Sequence, residues 1–403
     1  MSTTTDNEQI SSFLDRGVEK IFPSREFLEA RLKEGKPLTM YLGIDPTGPT
    51  LHLGHAIILR KLAHFQALGH KVILLIGDFT GMIGDPSDKS AARVRLTRDQ
   101  VLANAKTYKE QAGRIISFSG KNKAELKYNS KWLAKLTMSE VIELAAHFTT
   151  QQMHQRAMFQ VRLKENKPIF LHEFVYPLMQ GYDSVAMDVD GEIGGNDQTF
   201  NMLAGRDLMK AMRSKEKFVI AMKLLVDPTG KKMGKSEGNM ITLEDTPDDM
   251  FGKIMSWTDG MVLPGFELLT DVSRIEMARM EKEMKAGANP RDYKIRLAKE
   301  VVSAFFDAEE ARNAEDQFAN MFRGHEVPED VPEYAISEET NILDVLVDAG
   351  LASSKTDARR LIDGGGIKAD GHAIEGYDVE IIPGDGGVLI QKGKRHFVRV
   401  VKE

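Results

Sequence analysis

Cysteine is absent from this 403-residue chain. That excludes a disulfide framework, thiolate zinc sites, iron–sulfur clusters and a cysteine nucleophile. Long apolar runs are lacking as well: the longest, at 72–76, is far too short to span a bilayer and reads as a buried strand. Residues 1–8 carry neither a basic region nor an apolar stretch, so no secretory signal is expected, no membrane partner either, and a cytoplasmic location is. No charge of one sign dominates. The net charge is -6, whereas a protein that coats nucleic acid through bulk charge would be basic; only binding through a local basic patch remains open. No internal repeat of fixed period is found.

What is present is ordinary globular composition, 42% hydrophobic and 28% charged, in a chain long enough for two or three cores. Strand-like runs at 38–44, 72–76 and 126–129 are separated by helical spacing, as at Ala56, Leu59, Leu62, Phe65 and Leu68. Such alternation predicts an α/β, doubly wound parallel sheet of Rossmann type, with ligands where strands end and helices begin. From about Thr246 to Arg323 charged helices dominate. The Pro/Glu-rich stretch around 325–333 reads as a linker, and after it comes a small α+β tail with two short helices, glycine turns and short strands. The expected division is therefore a catalytic domain at 1–230, a mobile loop with a helical domain at 231–325, a linker at 326–340 and a tail domain at 341–403.

Three segments carry chemistry. His52-Leu53-Gly54-His55 sits at a strand-to-helix junction, where unpaired N–H groups and the dipole favour phosphate. Two imidazoles three residues apart can donate to one polyphosphate, although histidines at such a place also simply cap a helix. Gly54 would let a flat base approach the backbone. Lys232-Met233-Gly234-Lys235-Ser236 is a cationic loop able to close on a leaving pyrophosphate, or a solvated surface loop. Tyr176, Gln180 and Asp183 fall on one stripe of a helix, which suits a polar pocket as well as an amphipathic face turned to water.

Together the first two segments resemble the HIGH and KMSKS signatures of class I aminoacyl-tRNA synthetases. The third resembles the amino-acid-binding helix of bacterial tyrosyl-tRNA synthetases, as do the segments at 41–47, 77–87 and 194–198. The tail, through residues 354–362 and the glycines after them, resembles an S4-type RNA-binding domain. The resemblance spans essentially the whole chain in order.

It implies a tyrosine–tRNA ligase. Tyr41 and Asp183 would bind the phenolic hydroxyl of tyrosine; Tyr176, Gln180 and Asp85 its ammonium group, with Thr80 nearby; Gln198 would lie toward its carboxyl end. Asp45, Thr47, His52, Gly54, His55, Gly195 and Asp197 would line the ATP site. Met233, Gly234 and Ser236 would join them from the loop, while Lys89, Arg93, Lys232 and Lys235 would clamp pyrophosphate. In the tail, Lys355, Arg359, Arg360, Lys392, Lys394 and Arg395 would face tRNA(Tyr). ATP would be a substrate accompanied by Mg2+, with no dedicated protein metal site, and a homodimer is implied, with its contact around residues 148–171. The chain departs from the family at Glu192, where many members carry glutamine. Rivals are a tryptophan-specific synthetase, a nucleotidyltransferase and an inactive RNA-binding relative. The Tyr41/Asp183 pair argues against the first; keeping both phosphate-binding segments with a tyrosine pocket argues against the others.

Overall fold

Short apolar runs broken by turns build the sheet that carries the candidate site. The computed structural model describes residues 3–85, 96–227, 229, 240–323, 331–384, 386–393 and 396–403. Its main sheet has six strands: β1 (Val18–Phe22), β2 (Thr39–Ile44), β3 (Lys71–Ile76), β4 (Glu125–Tyr128), β5 (Gly191–Gly195) and β6 (Phe218–Met222). Their spatial order is β1-β6-β5-β2-β3-β4. β1 lies antiparallel at the edge, and the other neighbours are parallel. Winding proceeds from β2 through β3 to β4 on one side and through β5 to β6 on the other. The chain thus reverses direction between β2 and β5, the point at which such sheets bind ligands.

The sequence reading names β2, β3 and β4 but not the other three. β5 reads Gly-Glu-Ile-Gly-Gly, and its glycines suppress any strand signal. It is a strand because β2 and β6 pair with it on either side and all five residues are buried. That burial is a tertiary effect.

α1 (Leu53–Ala67) follows β2 and buries the expected Ala56, Leu59, Leu62 and Phe65 together with Leu53, while the fifth expected residue, Leu68, is its buried C-cap. Between β4 and β5 lie α2 (Met138–Ala145), α3 (Ala157–Lys164) and α4 (Leu171–Met187); α5 (Thr199–Arg213) packs along α4 and leads to β6. The helical stretch comprises α6 (Pro247–Met255), α7 (Val262–Leu269), α8 (Arg274–Lys285), α9 (Pro290–Phe305) and α10 (Ala308–Arg323). Thr246 and Asn289 cap α6 and α9, each followed by proline at the first helical position, where its missing N–H costs nothing.

The chain divides into two compact units, 1–315 and 316–403. Helices α6 to α9 share the first unit with the sheet. Arg16, just before β1, donates to the carbonyls of Phe266, Thr270 and Val272 and so ties the two together.

The second unit holds β7 (Glu333–Ile336), β8 (Thr340–Asn341), α11 (Ile342–Asp348), α12 (Lys355–Asp363), β9 (Ile367–Ala369), β10 (His372–Ala373), β11 (Glu380–Ile381), β12 (Val388–Lys392) and β13 (His396–Lys402). Its sheet runs β10-β9-β12-β13-β7, beside a β11-β8 pair, over a core that includes Ile342, Val345, Leu346, Ala358, Ile367, Ile390 and Val400. β7 corrects one expectation. Residues 333–336, read as linker because prolines and glutamates surround them, pair in parallel with β13 from Arg399 to Lys402. Among the described residues no helix is long and apolar enough to cross a membrane.

Candidate active site

The site grows from the end of β2. His52 is the N-cap of α1, and its Nδ1 accepts from the Gly54 N–H at 3.0 Å; His55 Nδ1 accepts in turn from the His52 N–H at 3.2 Å. The capping reading is met, and it uses only one nitrogen of each ring. With each Nδ1 accepting, the neutral imidazoles carry their proton on Nε2, leaving two N–H donors for a ligand. Burial pushes His52 down to about 4 and His55 well below its usual range, so both stay neutral near pH 7. Gly54 has a reason other than access for a base: a Cβ there would stand 2.8 Å from the His52 ring.

A cavity of about 280 Å³ opens at the β2/β5 reversal. Every described residue expected at the tyrosine and ATP sites lines it: Tyr41, Asp45, Thr47, His52, Gly54, His55, Thr80, Asp85, Tyr176, Gln180, Asp183, Gly195, Asp197 and Gln198. The three polar positions of α4 line the cavity, so of the two readings of the stripe it is the pocket and not the water-facing face, and Tyr176 and Asp183 are buried. Asp183 accepts from Trp132 Nε1 at 2.7 Å and Asn129 Nδ2 at 3.2 Å. Burial pushes its carboxyl well above the usual range, while these two donors favour the charged form and oppose the rise. Tyr41 and Tyr176 are raised by burial and remain protonated donors. Tyr41 Oη lies 3.0 Å from Ser184 Oγ.

Asp45, expected toward ATP, accepts from Tyr176 Oη at 2.7 Å and Thr80 Oγ1 at 2.6 Å, so it braces the amino-acid side as well. Gln198, expected toward the carboxyl end, donates to Asp85 Oδ2 at 2.6 Å. Arg156 stands 3.7 Å from the other oxygen of Asp85 with its guanidinium over the rings of Phe159 and Phe200.

Sequence reasoning misses Asn129, Trp132, Arg156, Ser184 and Lys217. Asn129 had a faint signal, since it closes a strand that the reading names. Lys217 had none. It is buried beside Glu192, to which it donates, and to Ser184 Oγ at 2.8 Å; burial draws its pKa down and Glu192 pulls it back up.

Lys89, Arg93, Lys232, Met233, Gly234, Lys235 and Ser236, and in the tail Lys394 and Arg395, lie outside the described residues. Residues after the lysine segment are stitched to the histidine junction: Leu53 N–H donates to Ile241 O at 3.0 Å, and Leu243 N–H to Leu51 O at 2.9 Å. In the tail, Lys355, Arg359 and Arg360 are exposed on α12 and Lys392 closes β12. Lys355 pairs with Asp344 at 2.5 Å and Arg360 with Asp357 at 2.7 Å, whereas Arg359 lies over the Tyr377 ring. Among the described residues no group of three acidic or histidine side chains is arranged to hold a metal ion.

Known proteins resemble this chain in sequence and in fold. Residues 33–323 match the family of class I tRNA synthetases (W and Y), and residues 325–400 match the tyrosine–tRNA ligase SYY-like C-terminal domain. Tyrosine–tRNA ligase 2 of Vibrio cholerae is 46% identical over 388 residues, 96% of this chain and 97% of that one. The tyrosine–tRNA ligase of Moorella thermoacetica is 46% identical over 394 residues, 96% and 94% of the two chains. In fold, a C-terminally truncated mitochondrial tyrosyl-tRNA synthetase of Aspergillus nidulans superposes with a TM-score of 0.65 at 21% identity, over 78% of this chain and 94% of that one.

Proposed function

The chain belongs to the tyrosine–tRNA ligases of the class I aminoacyl-tRNA synthetases, and from that premise we propose that the cavity at the β2/β5 reversal is where tyrosine and ATP meet. The enzyme activates tyrosine with ATP to tyrosyl-adenylate and pyrophosphate, then transfers tyrosine to the 3′-terminal adenosine of tRNA. In the first step the tyrosine carboxylate attacks the α-phosphorus and pyrophosphate leaves; in the second the ribose hydroxyl takes the acyl group and AMP departs.

One observation carries the site reading: a single cavity is lined both by the buried Asp183 and by two neutral histidines whose Nδ1 atoms accept backbone N–H groups, leaving Nε2–H as the donor. A phenolic hydroxyl donates to Asp183 and pairs with Tyr41. Tyr176, Gln180 and Asp85 receive the ammonium group, with Thr80 and Gln198 bracing them through Asp45 and Asp85. Asp45, Thr47, Gly54, Gly195 and Asp197 line the ATP side. His52 and His55 donate to phosphoryl oxygens as charge builds on them, and Lys89, Arg93, Lys232 and Lys235, with the loop residues Met233, Gly234 and Ser236, act at the pyrophosphate. Catalysis on this reading is positioning and electrostatic stabilisation, without a general base. Mg2+ arrives with ATP as part of the substrate.

The tail supplies tRNA contacts through Lys355, Arg359, Arg360, Lys392, Lys394 and Arg395, and the helical domain at 231–325 contacts the same partner. ATP and tRNA are cytoplasmic substrates, which supports a cytoplasmic location. A symmetric homodimer is supported by the apolar side chains left bare on one stretch of chain: Met138 is 75% exposed, Ile142 60% and Leu171 84%, with Val161, Leu163 and Phe170 between. The deciding assay is ATP–pyrophosphate exchange dependent on tyrosine. Exchange driven equally by phenylalanine would sink the pocket assignment, and no exchange at all would sink the reading.

A further inference from the structure

A charged pair stands at the wall of the cavity, which Glu192 lines, and the roles assigned above leave it unused. Glu192 on β5 and Lys217, the residue before β6, are 1% and 0% exposed, and Lys217 Nζ donates to Glu192 Oε2. Two charges taken out of water are costly unless they pair and their remaining hydrogen-bonding capacity is used. Here it is used. Lys217 also donates to Ser184 Oγ at 2.8 Å, and Glu192 Oε1 accepts from Gln180 Nε2 at 2.9 Å. Gly205 on α5 makes the room: a Cβ there would come within 2.5 Å of Lys217 Nζ and 3.4 Å of Glu192 Oε2.

The pair has a fixed hydrogen-bond sense. A carboxylate only accepts, so it can hold only the NH2 face of the Gln180 amide. The amide oxygen of Gln180 is then left for the cavity that Gln180 lines. A substrate ammonium only donates and needs an oxygen at that place. An amide at position 192 would behave differently while Lys217 remains. Its single oxygen would be claimed by the donor-only lysine, its NH2 would turn to Gln180, and the Gln180 amide would reverse, aiming N–H at the ammonium.

Resting on the tyrosine-activating reading above, we propose that Glu192 is a positioning residue for the ammonium end of tyrosine, turning the Gln180 oxygen toward it, with Lys217 as the counter-charge paired to it in the core. The carboxylate at 192 thereby serves recognition from the cavity wall as the partner of Lys217 and Gln180, and not as a bare negative charge.

Calorimetric titration of the full chain with three ligands tests this: L-tyrosine, tyramine, which keeps the ammonium group, and 3-(4-hydroxyphenyl)propionate, which lacks it. In E192Q, tyrosine and tyramine weaken at least tenfold, while the deaminated acid stays within about twofold, as expected for losing one hydrogen bond to a charged group. Adding Lys217→Met to Glu192→Gln frees the glutamine oxygen for Gln180 and restores most of the tyrosine affinity. If E192Q does not fold, E192L/K217M carries the test, since it buries no charge and offers Gln180 no acceptor; it too weakens the two amines and spares the acid. Equal weakening of all three ligands, or no change in any, overturns the proposal and makes the pair scaffold only. If the unaltered chain shows no tyrosine-dependent exchange, the failure lies in the underlying reading instead.

Discussion

Tyr176 donates its phenolic proton to Asp45 Oδ2 at 2.7 Å, joining a residue expected at the ammonium of tyrosine to one expected at ATP. Thr80 donates to the other Asp45 oxygen at 2.6 Å. The aspartate is thus held by Tyr176 and Thr80 while it lines the cavity in which the proposed function puts tyrosine and ATP.

Tyr176→Phe and Thr80→Val should therefore be coupled in their effect on tyrosine activation. Each alone is expected to lower kcat/KM by roughly tenfold, as for one lost hydrogen bond to a charged group, and together they should depart from additivity because they share Asp45. Pyrophosphate-exchange kinetics on the double-mutant cycle check this. Strict additivity would mean that Asp45 does not transmit between them.

On the proposed reading Asp183 selects for the phenolic hydroxyl, and burial raises its carboxyl while the Trp132 and Asn129 donors oppose that rise. Removing the indole donor with Trp132→Phe leaves burial less opposed, so the carboxyl rises further above its already raised pKa. Protonation then removes the acceptor for the substrate hydroxyl as pH falls. Tyrosine affinity in the variant should begin to decline at a higher pH than in the unaltered enzyme, with phenylalanine binding unaffected. Titrating Kd against pH for both amino acids decides it; an unmoved acid limb would place the titrating group elsewhere.

His70 gives a stability signature remote from the chemistry. It is 0% exposed, its Nδ1 accepts from the Leu38 N–H at 3.2 Å, and burial holds it at about 4, against an ordinary 6.5, with Asp190 opposing. The folded pKa lies below the unfolded one. Between these values the unfolded chain binds a proton that the native chain does not, so stability rises with pH across this window and is complete above it. His52 and His55 act with the same sign. His70→Gln should flatten the slope by about one proton, on the order of 1.4 kcal/mol per pH unit. Denaturant unfolding at pH 4.5, 5.5 and 6.5 measures it, and an unchanged slope would refute the assignment.

Ending the chain after Arg323 removes β7 with the tail sheet to which it pairs. Tyrosine-dependent exchange should stay close to that of the full chain, while charging of tRNA falls strongly. The remaining charging should be more sensitive to salt than exchange is, since phosphate contacts weaken as salt rises. Full charging by the shortened chain would take the tail off the tRNA surface.

For the lysines of residues 232–236, Lys232→Ala and Lys235→Ala should each slow adenylate formation with tyrosine affinity nearly unaltered. A charge needed at the leaving pyrophosphate contributes in the transition state, by about 2–4 kcal/mol for one strong contact. Single-turnover rates alongside tyrosine binding separate the two effects.

By itself the sequence determined everything that local spacing can encode. His52 and His55 are three residues apart at a helix start. Tyr176, Gln180 and Asp183 share one helical stripe, and β2, β3 and α1 follow from short apolar runs and their period. Those features depend on neighbours a few residues away, which a linear string displays. Only the tertiary structure decided the rest. β5 is a strand because β2 and β6 flank it, against the preference of its glycines, and β7 is a strand because β13 pairs with it across a stretch that reads as linker. Asp183 is braced by Trp132 and Asn129, more than fifty positions earlier. The lysine that pairs with the carboxylate at position 192 arrives from just before the next strand and carries no mark in the sequence. Charge pairing in a dry interior depends on distances of about 3 Å, and only the closed sheet brings those groups that near.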